Sequence, residues 1–140
     1  MKVKINLKQI GERRPKITPI DFVYSPVPRT LRELITQTAE ACVNAFNKRI
    51  RAVKEHIEPL SEERIGDMSK VGKIAFGISY GDREQDPESA KVNAINAFED
   101  GTYRVFLNDT ELTELDKELE ISENDSLTFI RLTMLAGRMW

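Results

Sequence analysis

YRVFLNDTELTELDKELEISENDSLTFIRLTMLAG, residues 103–137, reads as two strands joined by a polar elbow. The first strand begins at Tyr103 and alternates apolar with polar residues. The elbow carries short leucine-bearing turns, and the second strand is rich in β-branched and aromatic residues before it runs into a small-residue tail. Successive side chains of a strand point to opposite faces. Ile130, Leu132 and Met134 therefore share one face, and Phe129, Arg131, Thr133 and Leu135 the other. A helix over the first set leaves the second as a mixed apolar and cationic strip beside Met139 and Trp140. An inserted helix around Ala90–Phe98 laid over the other face makes that strip part of an ordinary core.

The chain upstream supplies helices and further strands. Asp86-Pro87-Glu88 joins a capping residue to a proline at the first helical position. Ala90, Ala94, Ile95, Ala97 and Phe98 then carry a helix to a stop at Glu99-Asp100-Gly101. Before it, Ile74, Phe76, Ile78 and Tyr80 alternate, which predicts a strand over Lys73–Tyr80, and Ser61-Glu62-Glu63 predicts a short helix ending before Gly72. Thr30-Leu31-Arg32-Glu33 matches a capping box, in which threonine and glutamate satisfy free amides of a first helical turn. Leu31, Leu34, Ile35, Thr38, Ala39, Cys42, Ala45, Phe46, Arg49 and Ile50 fall on one face of a helix that runs to about residue 52. At the N-terminus Val3, Ile5 and Leu7 alternate with Lys2, Lys4, Asn6 and Lys8. After a polar turn at Gly11–Pro15, the run Ile17–Tyr24 places Ile20, Phe22 and Tyr24 on one face. Pro19, with no amide hydrogen to donate, can sit in this run only at an edge or an irregularity. These two strands predict a β-hairpin.

The order hairpin, long helix, two further strands resembles the ubiquitin-like β-grasp superfamily. SLTFIRLTMLAG, Ser126 to Gly137, aligns without a gap on the C-terminal residues of the ubiquitin pattern, serine on serine, with Ala136-Gly137 where the family ends in Gly-Gly. The resemblance implies one α+β domain over residues 1–140, a β-grasp sheet crossed by one long helix. A structured strand-and-helix insertion occupies about 58–101. It also implies that the strand of Val3 and Ile5 joins, in parallel, the strand of Ile130 and Leu132.

Composition narrows the function. A chain of 140 residues is the usual size of a single domain with a full core. No apolar run approaches the roughly 20 residues that span a bilayer, and MKVKINLKQI alternates charge with aliphatic residues, unlike a signal peptide. A cytoplasmic protein without membrane contact, in a bacterial or phage-like setting, is expected. The single cysteine, Cys42, excludes an intrachain disulfide and a cysteine-ligated iron–sulfur cluster. The single histidine, His56, leaves little but carboxylates for zinc. No metal and no cofactor are expected. Residues 1–57 hold 12 Lys and Arg against 5 Asp and Glu, and residues 58–140 hold 9 against 18. Such a dipole steers a charged partner or draws the two halves together, and the second reading is preferred.

Gly77-Ile78-Ser79-Tyr80-Gly81 has the G-x-S-x-G spacing that sets a hydrolase serine on a strained turn. The chain is short for that fold, and His56 precedes the serine instead of following it, so a strand leaving through a Gly-Asp turn is the preferred account. Cys42 on an apolar helical stripe behaves as a small hydrophobe. His56 between charged neighbours reads as a solvated surface side chain. Lys48, Arg49, Arg51 and Lys54 gather at a helix C-terminus, where the dipole favours cations. Without interleaved aromatics, and with a pI of 5.6, the cluster does not point to nucleic acid. Asp109, Glu111, Glu114, Asp116, Glu118, Glu120, Glu123 and Asp125 lack the spacing and glycine of a calcium loop and read as a solvated elbow.

The leading expectation is a non-enzymatic protein-interaction module, an adaptor or assembly subunit, with a protein partner at Phe129, Arg131, Leu135 and Trp140. With Met139 beside it, this strip has the aromatic, methionine and arginine composition enriched in interface cores. The alternative implied by the resemblance is a ubiquitin-like modifier or sulfur carrier activated at Gly137. Ala136 replaces the first glycine there, and Arg138, Met139 and Trp140 must be removed first.

Overall fold

Val3, Ile5 and Leu7 turn inward and are almost fully buried while Lys2, Lys4 and Lys8 stay exposed, so the alternation of the N-terminus becomes strand β1 (Lys2–Gln9) with one wet face. The computed structural model describes residues 2–9, 19–54, 71–72, 75–76 and 84–132. Within them β1 is followed by β2 (Ile20–Val23), α1 (Leu31–Lys54), α2 (Pro87–Glu99), β3 (Tyr103–Leu107), β4 (Thr110–Leu112) and β5 (Ser126–Arg131). The strands form one open mixed sheet in the order β2-β1-β5-β3-β4. Every neighbouring pair is antiparallel except β1 and β5, which run parallel with Ile5 opposite Leu127 and Leu7 opposite Phe129. The first and last strands are thus joined as expected. The architecture is α+β, two described helices on one face of a five-stranded sheet.

The core lies between that face and the helices. Leu31, Leu34, Ile35, Ala39 and Cys42 of α1, and Ala94 and Ile95 of α2, pack with Ile5, Leu7, Val105, Leu127 and Phe129. Three hydroxyl groups enter it with partners. The Tyr24 hydroxyl and Thr38 Oγ1 lie 2.6 Å apart, and Thr38 Oγ1 donates to the Leu34 carbonyl at 2.6 Å. The Tyr103 hydroxyl donates to the Ala94 carbonyl at 2.7 Å, tying β3 to α2.

The helix ends follow the sequence with one adjustment. Thr30 Oγ1 accepts from the Glu33 amide at 3.2 Å, but Glu33 Oε1 accepts from the amide of Arg29, not of Thr30. The elbow explains the shift. Thr30 bridges to Glu118, the Leu119 amide donates to the Arg29 carbonyl, and the Arg32 amide donates to the Leu115 carbonyl. The Arg32 guanidinium then holds Asp116 through Nε at 2.9 Å and Nη2 at 3.2 Å. Asp86 caps α2 by accepting from the Glu88 amide. Gly101, at φ 78°, turns the chain out of that helix in a conformation where side-chain-bearing residues are strained.

Two expectations need correction. The strand predicted over Lys73–Tyr80 gives way, at Ala75 and Phe76, to a helical turn in which the Phe76 amide donates to the Gly72 carbonyl at 3.1 Å. Val71, Ala75 and Phe76 are buried, a spacing of four and one that matches a helical stripe, and Phe76 meets Tyr103 and Phe129 edge-on. Residues 73, 74 and 77–80 lie outside the described residues, as do the short helix predicted from Ser61 and the turn at Gly11–Pro15. The second correction concerns β5. Phe129 is fully buried beneath the helices and does not belong to an exposed strip; Ile130, placed under the helix by the sequence reading, is half-buried on the opposite face. The parallel register decides this, because paired residues share a face, and Leu7 brings Phe129 with it into the core.

Candidate functional site

Every described strand gives one set of side chains to the helices and the other to the face that no described helix covers, and the register assembles that second set into rows. Val23 stands beside Lys2, and Asp21, Lys4 and Ser126 form the next row. Asn6, Thr128, Phe106 and Glu111 follow, and then Lys8, Ile130 and Arg104. Phe106, Thr128, Ile130 and Asn6 are half-buried at the centre. Lys2, Lys4, Lys8, Arg104 and Val23, the last 57% exposed, stand around them. Lys4 Nζ lies 2.9 Å from Asp21 Oδ1, and the hydrogen bond it donates holds the Asp21 carboxyl below its ordinary range. Arg104 Nε lies 3.8 Å from Glu111 Oε2.

Of the residues singled out for binding, Phe129 is in the core and Arg131 is half-buried at the end of β5, opposite Gln9 and Tyr103. Leu135 and Trp140 lie outside the described residues, as does Gly137 at the proposed conjugation position. The structure therefore assembles a different set: Phe106 and Ile130 ringed by lysines and Arg104. The signal for it was present in the sequence. Ser126 and Thr128 alternate with Leu127 and Phe129, and carrying that period one step further sends Ile130 outward.

The other candidates are placed as follows. Cys42 is fully buried, and burial drives its thiol far above the ordinary range, which suppresses the reactive thiolate. We expect its modification by a disulfide reagent at neutral pH to be at least about a thousandfold slower in the native protein than in the denatured chain. Timed thiol titration with and without denaturant measures this, and comparable rates would place the thiol at the surface. His56, Gly77, Ser79 and Gly81 lie outside the described residues. In the basic cluster, Arg51 pairs with Glu84 at 2.8 Å. In the acidic run, Asp116 holds Arg32, Glu111 stands by Arg104, Glu123 accepts from the Lys2 amide and Asp125 from the Ser122 amide. Arg32 with Asp116, and Arg51 with Glu84, link the basic and acidic halves, so part of the charge asymmetry is spent within the fold. These pairs are exposed and individually weak.

No group of three His, Cys, Asp or Glu side chains among the described residues is arranged to hold a metal ion, and no described helix is long and apolar enough to cross a membrane. Comparison with protein-family models, with curated proteins and with solved structures found no match.

Proposed function

We propose that this chain is a ubiquitin-like β-grasp module that works without catalysis of its own, as a cytoplasmic adaptor or assembly subunit that docks a protein partner on the sheet face that no described helix covers. The strand order, with the first and last strands parallel at the centre and a 24-residue helix packed across them, supports the β-grasp reading. The observation that carries the docking reading is the row arrangement around Phe106 and Ile130, an aromatic and an aliphatic side chain ringed by Lys2, Lys4, Lys8 and Arg104. A half-buried apolar centre with a polar rim is the anatomy of an interface, in which a few central side chains carry most of the binding energy.

A photoactivatable amino acid placed at Thr128, in the middle of the face, should yield discrete crosslinked adducts in cells. The same group at Val92, exposed on the far side of α2, should not. Equal labelling from the two positions, or none from Thr128, would overturn the docking reading.

A further inference from the structure

We propose that this sheet face selects an acidic segment of a partner protein, one that presents aliphatic side chains between its carboxylates. The inference rests on the docking reading and adds the chemistry of the partner. The face carries four cations, Lys2, Lys4, Lys8 and Arg104, against two carboxylates, Asp21 and Glu111. Both carboxylates stand by cations of the face, Asp21 by Lys4 and Glu111 by Arg104. Lys2 and Lys8 have no ion pair among the described residues.

Residues two apart on a strand are about 7 Å apart, and neighbouring strands lie about 5 Å apart. Lys2 and Lys8 therefore sit near the ends of a strip about 20 Å long, and Arg104, two strands over from Lys8, closes one end about 10 Å across. Phe106, Thr128 and Ile130 lie within that frame. An apolar partner segment without charge would cover Ile130 and Phe106 but would also strip water from Lys2 and Lys8 with nothing in return, which is unfavourable. Carboxylates at the edges of the segment remove that cost and steer the encounter.

Other occupants fit less well. A second copy of this chain, docked face to face, would set the same excess of cations against itself. A single-stranded nucleic acid asks for successive stacking platforms, and Phe106 is the one aromatic among the described residues of the face. A long polyanion would also run from β3 and β4 onto the elbow, where Glu114, Glu118 and Glu120 are exposed.

The test is a titration of the isotope-labelled full chain, followed by backbone amide resonances, with the synthetic peptide acetyl-DLEIELD-amide and with its neutral counterpart acetyl-NLQIQLN-amide. The acidic peptide should shift Lys2, Lys8, Arg104, Phe106, Thr128 and Ile130 saturably. The neutral peptide should bind about tenfold more weakly, and Lys2→Glu combined with Lys8→Glu should weaken the acidic peptide by about tenfold as well. Unchanged resonances of α1 and α2 in that double variant show that the fold is kept. Equal affinity for the two peptides overturns the acidic selection while leaving docking intact. Stronger binding of a poly-uridine strand, shifts confined to other surfaces, or no shift with either peptide also overturns it. The Thr128 crosslink then judges the docking reading independently.

Discussion

Phe129→Ala is expected to destabilise the protein by about 3–5 kcal/mol, the range for deleting a fully buried phenylalanine and leaving a cavity. For a chain of this size that corresponds to a fall in melting temperature of roughly 10–17 °C. The ring stands at the centre of the core. It lies opposite Leu7 on one side and Val105 on the other, meets Phe76 edge-on at 5.5 Å and stacks with Tyr103 at 6.3 Å, so truncation removes aromatic contacts together with area. Helices from two parts of the chain close over the site, and the cavity has no simple route to collapse. Ile130→Ala, one residue on and facing the other way, should cost about 1 kcal/mol, because the side chain is only half-buried. Chemical denaturation of the two variants measures the contrast. Similar losses would mean that Phe129 lies at the surface and that the face assignment of β5 is reversed.

That contrast also marks what the sequence makes legible. Local signals are reliable where one element satisfies them alone. The capping residue Asp86, the proline beside it and Gly101 bound α2 at the expected places, and the alternation of Val3, Ile5 and Leu7 settles which side of β1 is wet. Two features depend on distant partners and differ from the local pattern. Residues 129–135 alternate between two sets that are each partly apolar and do not orient β5 by themselves; the polar Ser126 and Thr128 upstream and the parallel pairing with β1 do. Likewise Phe76 alternates with its neighbours as a strand residue would, yet Val71 and Ala75 give a helical stripe, and burial against Tyr103 and Phe129 selects the helix. The candidate site was hidden for the same reason. Lys8, Ile130 and Arg104 are far apart in the chain and become one row only through two strand registers.

The second large effect concerns the segment that leads into α2. Asn47, on α1 and 5% exposed, reaches Gln85 with both ends of its amide: Oδ1 accepts from the Gln85 amide at 2.7 Å, and Nδ2 donates to the Gln85 carbonyl at 2.8 Å. This is the pattern one strand residue offers another, supplied by a side chain to a stretch of backbone that has no strand beside it among the described residues. Asn47→Leu keeps the branching and the number of side-chain heavy atoms but takes from a backbone donor and acceptor the partner that Asn47 supplies. We expect a loss of about 2–6 kcal/mol, from roughly 1–3 kcal/mol for each of the two partly buried groups stranded. Asn47→Asp separates the two bonds. It retains the acceptor toward the Gln85 amide and turns a carboxylate oxygen toward the Gln85 carbonyl, where only a protonated acid can donate. The folded state then favours the protonated form and raises the pKa of the introduced acid. Its stability should therefore be closest to the parent at low pH and fall as pH rises through the ordinary carboxylate range. The neighbouring exposed pair, Arg51 with Glu84, sits on the same junction, but Arg51→Ala should cost under about 1 kcal/mol because solvent screens it. Urea denaturation from low to neutral pH, with hydrogen exchange of the α2 amides, separates these cases. A large loss in Arg51→Ala with little in Asn47→Leu would assign the junction to the ion pair, whereas the expected order places it in two backbone hydrogen bonds that one asparagine completes.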